Sequence, residues 1–177
     1  EDGRVAAISN RTPEGIDEVI DCAGKTVIPG FVDSHTHLIF AGDRSAEFAA
    51  RSRGEKYSAG GIKTTVASTR AASSVELISN AQTLLDEALS QGTTTVEIKT
   101  GYGLTLHDEL RSLDVANAFT DETTLLAAHV IPEEYVNNPD GYVDLIVKEI
   151  IPASSAKWID VFCDAGAFSP EQTRAIL

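Results

Sequence analysis

Residues 29–37 read Pro-Gly-Phe-Val-Asp-Ser-His-Thr-His, a short apolar run that ends in two histidines separated by one residue. Side chains alternate between the two faces of a β-strand, so residues i and i+2 point the same way. His35 and His37 would therefore share one face, close enough to bind one metal ion. The imidazoles fall at the carboxyl end of the strand, where barrel enzymes carry their chemistry. A bare His-x-His triplet also arises by chance on surface strands, but the lead-in from Pro29 favours a pair of metal ligands.

The rest of the chain alternates predicted strands with predicted amphipathic helices. Ser73 and Glu76 form a capping box before apolar residues at helical spacing, and Gly92 ends that run. Ser169 in the N-cap position, followed by Pro170, opens the last helix. In chain order the predictions are a strand up to 37, a helix over 73–91, a strand over 95–99, a helix over 106–119, a strand over 124–128, a helix over 143–150, a strand over 158–163 and a helix from 169. This alternation predicts βαβ units and a parallel sheet.

The first 28 residues are predicted to belong to a different unit. Residues 3–9 and 16–28 have the composition of strands, and the turn-rich segment 10–15 divides them. We therefore predict that residues 1–28 are part of a small β-sandwich domain and that residues 29–177 carry the alternating strands and helices.

The sequence DCAGKTVIPGFVDSHTH at 21–37 resembles the opening of the amidohydrolase superfamily. Four further stretches resemble the branch that opens the imidazolone ring in histidine breakdown: HTHLIFAGDR at 35–44, VEIKTGYGL at 96–104, LLAAH at 125–129 and DVFCD at 160–164. The resemblance implies an α/β fold, the N-terminal part of a (β/α)8 TIM-like metallo-hydrolase barrel preceded by the small β-sandwich. A complete barrel typically needs about 250 residues. Since this chain has 177 residues, we expect a fragment that carries the first half of the barrel.

The resemblance also implies a reaction. It is the metal-dependent hydrolysis of the cyclic amide of 4-imidazolone-5-propanoate to N-formimino-L-glutamate, in histidine degradation. His35 and His37 would be two ligands of one divalent or trivalent metal ion, and zinc and iron are both compatible with imidazole ligands. The family's third histidine, its aspartate ligand and its general base are expected beyond Leu177, so no catalytic residue is assigned within this chain.

Four side chains are predicted to contact the substrate. Arg44 lies seven residues past His37, and a guanidinium there can bind a carboxylate through two parallel hydrogen bonds. Tyr102 lies between two glycines after a predicted strand, where it could present its phenol to a ligand or only plug the barrel mouth. His129 ends another strand, as a substrate contact or as an ordinary buried histidine. Tyr57 is a weaker candidate for the same role.

Two further residues have alternative interpretations. Lys99 ends a predicted strand, where some amidohydrolases carry a carbamylated lysine that bridges two metal ions. The resemblance is to the mononuclear branch, so we favour a structural or electrostatic role for Lys99. His107 lies beside two acidic residues at a helix start and is predicted to be solvated and without a role.

Composition excludes some partners. A net charge of −13 argues against binding to nucleic acid or anionic membranes, because both attract basic protein surfaces. The sequence is 42% hydrophobic and 23% charged, as in soluble globular proteins. Its two cysteines are too few for a disulfide framework, and Cys163 reads as a buried thiol. We therefore expect a cytoplasmic enzyme with a small-molecule carboxylate substrate, and a homodimer is left open.

Two other functions stay open at this point. A different amidohydrolase, such as a guanine or cytosine deaminase, would share the His-x-His lead-in. Its substrate lacks a carboxylate, so Arg44 would have no carboxylate to bind there. The second alternative is a catalytically silent barrel segment that is kept for assembly or scaffolding.

Overall fold

Four parallel strands form one curled sheet, half of a barrel, in the order β1-β2-β3-β4. The computed structural model describes residues 3–11, 14–54 and 61–177. The strands are β1 (Phe31–Thr36), β2 (Thr93–Lys99), β3 (Thr123–Ala128) and β4 (Trp158–Val161). Each strand pairs in parallel with the next along the chain, so all four carboxyl ends lie at the same edge of the sheet.

Helices connect the strands and cover the convex face of the sheet. They are α1 (Ser45–Ser52), α2 (Gly61–Ala71), α3 (Ser74–Ser90), α4 (Leu106–Asn117), α5 (Pro139–Leu145), which continues through a π-helical turn (Ile146–Ile150) into α6 (Ile151–Ala153), and α7 (Pro170–Ile176). Leu77 of α3 and Val115 of α4 pack with Ile98 of β2 in one buried cluster. Tyr142 and Ile146 pack with Leu125 of β3 in a second cluster. These two clusters form the core, which lies between the helices and the convex face of the sheet.

The side chains of each strand that do not face the helices lie on the concave face of the sheet. Val32, Glu97, Thr124 and Trp158, one from each strand, line a cavity of about 460 Å³ on this side. The alternation along β2 shows why the two faces differ, since Ile98 is buried on the convex side while its neighbour Glu97 faces the cavity.

The predicted helix starts are confirmed by their capping hydrogen bonds. The Ser73 hydroxyl accepts a hydrogen bond from the Glu76 backbone N–H at 3.2 Å. Ser169 and Gln172 form a full capping box, because each side chain accepts a hydrogen bond from the backbone N–H of the other residue. The helix predicted over 143–150 is longer than expected, beginning at Pro139 and running to Ala153.

Two sequence predictions are wrong for this structure. The described residues before Phe31 contain no strand, although strands were predicted over 3–9 and 16–28. A strand requires a hydrogen-bonding neighbour, and no described segment pairs with these residues. The described residues therefore do not show the predicted β-sandwich, and the boundary at residue 28 is not tested and stays a prediction. Cys163 is exposed rather than buried, because β4 ends at Val161 and the chain leaves the sheet there.

Among the described residues, none of the helices combines the length and the apolar character that crossing a membrane requires.

The open concave face predicts self-association of this 177-residue chain when it is expressed alone. Val32 and Trp158, which line the cavity there, are 68% and 52% exposed. Phe31, at the start of the edge strand β1, is 56% exposed, and unpaired parallel edges invite pairing with other chains. Light scattering after size exclusion should give a mass above that of a monomer, and the mass should rise with concentration. The double variant Val32→Ser, Trp158→Ser should shift the population toward monomer. A monodisperse, cooperatively melting monomer of the unmodified chain would contradict this prediction.

Candidate active site

Four of the predicted site residues meet at the carboxyl edge of the sheet. His35 lies on β1, His37 directly follows β1, Tyr102 follows β2 and His129 follows β3. The ring centroids of His37 and His129 are 5.3 Å apart, those of Tyr102 and His129 are 5.2 Å apart, and those of His37 and Tyr102 are 6.0 Å apart. The loops after three parallel strands therefore bring these side chains into one cluster, as strand polarity requires.

The two histidines of the His-x-His motif converge. The Nε2 atoms of His35 and His37 lie 3.3 Å apart, and their ring centroids are 5.2 Å apart. The strand pairing is irregular between Asp33 and Thr36, and the Asp33 carboxylate accepts a hydrogen bond from the His35 backbone N–H at 3.2 Å. The pair therefore has the same-face geometry that the motif predicts.

The spacing and chemistry of this pair fit a metal ion. Two nitrogens that each lie about 2.0–2.1 Å from a tetrahedral ion are separated by about 3.3–3.4 Å, which matches the observed 3.3 Å. Burial, followed by the nearby His129 and His35, lowers the pKa of His37 to about 4, so its imidazole is neutral and can act as a ligand. His37 Nδ1 is buried without a hydrogen-bond partner in the described part of the chain.

Two nitrogens do not complete a metal site. Within residues 3–11, 14–54 and 61–177, no group of three or more His, Cys, Asp or Glu side chains is arranged to hold a metal ion. A zinc site needs three or four protein ligands. The His35–His37 pair by itself is therefore an incomplete donor set.

His129 is held in one tautomer. Its Nδ1 lies 2.9 Å from the carbonyl oxygen of Gly101, and since a carbonyl can only accept, Nδ1 must carry the proton. Burial lowers the pKa of His129, although the Gly101 carbonyl opposes that shift. The neutral ring thus keeps the lone pair on Nε2 and can accept a hydrogen bond from a ligand.

Arg44 and Tyr102 share a cavity with His37. The cavity has a volume of about 580 Å³, and its lining includes His37, Phe40, Arg44, Phe48 and Tyr102. Burial raises the pKa of the Tyr102 hydroxyl, while the charge of Arg44 acts in the opposite direction, so the phenol keeps its proton and can donate. A cation, a hydroxyl donor and neutral imidazoles around apolar walls suit an anionic organic ligand. Tyr57, the weaker candidate, lies outside the described residues.

Lys99 forms ion pairs beneath the histidines. Its ammonium donates to Glu97 Oε1 at 2.9 Å and to Asp160 Oδ2 at 3.1 Å, and Glu97 Oε2 accepts from the Thr36 backbone N–H at 3.2 Å. Although burial alone would lower the pKa of Lys99, the hydrogen bonds to Glu97 and Asp160 raise it. Carbamylation requires a neutral amine, so these contacts support the structural and electrostatic role over the bridging one.

Three charged residues near the site were not predicted from the sequence. Glu97 and Asp160 are the partners of Lys99, and their inward positions on β2 and β4 were the available signal. Glu109 is fully buried, yet it follows His107 and Asp108 and therefore reads as part of a solvated first turn. His107 is exposed, as predicted.

Comparison with known proteins places these residues in a family. The model of the Amidohydrolase family matches residues 18–139. The imidazolonepropionase of Salinispora arenicola is 57% identical over 180 residues, which cover 100% of this chain and 46% of the relative. The imidazolonepropionase of Streptomyces avermitilis is 56% identical over 98% of this chain and 43% of the relative. That of Mycolicibacterium smegmatis is 55% identical over 100% of this chain and 46% of the relative.

The chain spans less than half the length of these curated relatives. The family match covers more than half of the chain and includes the histidine pair, Arg44, Tyr102 and His129. The parallel half-barrel with paired histidines at its carboxyl edge agrees with that match, and the chain belongs to the amidohydrolase family.

Proposed function

We propose that this chain is the N-terminal part of an enzyme that hydrolyses the cyclic amide of 4-imidazolone-5-propanoate to N-formimino-L-glutamate. The observation that carries the proposal is the cavity in which Arg44 and Tyr102 lie beside His37, whose Nε2 atom is 3.3 Å from that of His35. The name shared by the relatives at 53–57% identity supports the same reaction.

The proposal extends to the architecture of the whole protein. The half-barrel would be completed to a (β/α)8 barrel, whose later strands would supply the third histidine, the aspartate ligand and the general base. Residues 1–28 would then join a small β-sandwich domain. A cytoplasmic enzyme is part of this proposal and rests on the family resemblance, and a homodimer stays open.

His35 and His37 would hold the metal ion, zinc or iron. When bound, such an ion supplies Lewis acidity toward the amide carbonyl and toward water. The neutral state of His37 suits this role, because a protonated imidazole has no lone pair to donate. Beneath the pair, the hydrogen bond from the Thr36 N–H to Glu97 restrains the backbone between the two ligands.

The other side chains would bind and orient the substrate. Arg44 would grip the propionate through two parallel hydrogen bonds. Tyr102 would donate a hydrogen bond from its phenol, and His129 would accept one at Nε2 from a ring N–H. Phe40 and Phe48 would cover the apolar part of the chain that links ring and carboxylate. Tyr57 stays a predicted, weaker contact.

Arg44 also bears on the two alternatives. A guanine or cytosine deaminase would use the same histidine pair, but its neutral substrate gives no partner to a guanidinium in the cavity. A silent scaffold would need neither the neutral imidazole of His37 nor the metal-like spacing of the His35–His37 pair. Both observations favour a hydrolase with an anionic substrate.

The metal ligands can be tested in the full-length protein that contains this chain. The parent should bind one metal ion and open the imidazolone ring, and His35→Ala or His37→Ala should lose most of both. The control is His107→Ala, which removes an exposed imidazole from α4. Elemental analysis and ultraviolet absorbance of the imidazolone report metal content and turnover. Full metal occupancy in both variants would show that the pair does not bind the metal, and a metal-loaded parent without turnover would refute the proposed reaction.

Arg44→Leu tests recognition of the carboxylate. Removing one partner of a buried charge-assisted pair costs about 2–5 kcal/mol, so KM should rise steeply while metal content stays intact. The matched control is Arg174→Leu, which replaces an exposed arginine on α7. Steady-state kinetics with the acid and with its neutral amide separates the effects. An equal loss for the two substrates would show that Arg44 does not read the carboxylate.

Tyr102→Phe tests the phenol. The change removes one hydroxyl and should cost about 0.5–1.5 kcal/mol, the net contribution of a single hydrogen bond. Tyr135→Phe serves as the control, since Tyr135 packs against the core at Tyr142 rather than lining the cavity. Calorimetric titration with a substrate analogue measures the difference. Unchanged affinity in Tyr102→Phe would assign this ring a packing role only.

A further inference from the structure

Glu109 is a buried carboxyl group whose hydrogen bonds go to the loop that carries Tyr102. The residue lies on α4 with none of its surface exposed. Its Oε1 atom accepts hydrogen bonds from the backbone N–H groups of Gly103 at 2.9 Å and Leu104 at 2.7 Å. One carboxylate oxygen thus binds two consecutive amides immediately after Tyr102, and the loop cannot move without breaking both bonds.

The Gly103 carbonyl is held from the other side. Arg70 donates from Nε to the Gly103 oxygen at 2.6 Å, and its Nη1 pairs with Glu134 at 2.5 Å. The loop also packs directly on the start of α4, since a Cβ atom at Gly103 would lie 2.5 Å from the carbonyl carbon of Asp108. Arg70 and Glu109 therefore clamp both polar atoms of one residue against the helix.

This loop, residues 101–104, is held in conformations that L side chains rarely adopt. Leu104 has a φ of +55° and Gly101 has a φ of +116°. The Gly101 carbonyl accepts the hydrogen bond from His129 Nδ1 at 2.9 Å. Tyr102 thus lies between two anchored glycines, one bound to His129 and one bound to Glu109.

The carboxyl group of Glu109 supplies an acceptor that the loop backbone needs. Burying a carboxyl group is unfavourable unless its oxygens are hydrogen bonded; Oε1 is bonded to the loop, whereas Oε2 has no hydrogen-bond partner among the described residues. An apolar side chain at this position would leave the N–H groups of Gly103 and Leu104 without this acceptor. Oε1 of Glu109 is directed at the backbone of the loop and not at another helix. Its effect is therefore local to the segment that presents the phenol to the cavity.

We propose that Glu109 is a positioning residue, which fixes the 101–104 loop so that the Tyr102 phenol faces the substrate cavity. The proposal rests on the function proposed above for Tyr102. It predicts that removal of the carboxyl group lowers activity by displacing Tyr102. A side chain that keeps an acceptor atom at the same position should leave Tyr102 in place.

The kinetic test uses the full-length metal-loaded enzyme. Glu109→Ala should lower kcat/KM by about three- to tenfold, the effect of misplacing one hydrogen-bonding group. Glu109→Gln retains an Oε1 acceptor and should stay within about twofold of the parent. With Tyr102→Phe already present, Glu109→Ala should cost less than about twofold, because residues that act through one another are not additive. Ser112→Ala, at a buried position one turn further along α4, controls for disturbance of the helix.

A second readout does not depend on turnover. Incorporation of 3-fluorotyrosine gives a ¹⁹F resonance for Tyr102, assigned by its loss in Tyr102→Phe. Glu109→Ala should shift and narrow that resonance toward the free amino acid, while Glu109→Gln and Ser112→Ala should leave it in place. Should Glu109→Ala fail to fold, Glu109→Asp, which withdraws the carboxylate by one methylene, takes its place with the same expectations.

The two proposals can fail separately. A parent enzyme that does not open the imidazolone ring refutes the proposed function, and the ¹⁹F shift still decides whether Glu109 positions Tyr102. An active enzyme in which folded Glu109→Ala or Glu109→Asp keeps both kcat/KM and the ¹⁹F resonance overturns the positioning role. Equal kinetic losses with and without Tyr102→Phe would likewise overturn it.

Discussion

Parallel strand direction is the constraint on which the rest of this structure depends. Because each strand runs the same way as the one before it, each chain segment that leaves a strand does so at the same edge of the sheet. His37, Tyr102 and His129 are distant in sequence, yet each directly follows or lies near the end of a strand. No long-range pairing of these side chains is needed to bring them together, since the order of strands and crossovers does so.

Electrostatics then divides the site into two layers. At the edge, burial keeps the imidazoles of His37 and His129 neutral, which leaves lone pairs for a metal ion or a ligand. Below them, Lys99 stays charged because Glu97 and Asp160 surround it. These ion pairs connect β2 with β4, and Glu97 also binds the backbone of β1 at Thr36. The charged network of Lys99, Glu97 and Asp160 thus ties the strands together, while the imidazoles of His37 and His129 above it are neutral.

Local sequence signals predicted the elements well where the deciding interactions are themselves local. The caps at Ser73 and Ser169 and the alternation around His35 depend on residues within a few positions of one another, so the sequence reveals them. Residues 16–28 have strand-like composition, but no described segment of the chain pairs with them, and composition alone does not reveal whether a partner strand exists. Cys163 was misjudged for a related reason, because an apolar run does not reveal where a strand leaves its sheet.

Buried charges explain what sequence patterns could not reveal about the site. Replacing a buried ion pair by apolar residues is often neutral or stabilising, so stability alone does not account for Lys99 on the concave face. Lys99 pairs with Asp160 on β4, and Glu109 binds the N–H groups of Gly103 and Leu104 across a turn with positive φ. No helical or strand period encodes these contacts, whereas the pair of Glu97 and Lys99 follows the strand period on β2. Glu109, which reads as solvated surface in the sequence, is therefore one of the residues that bind the backbone of this site.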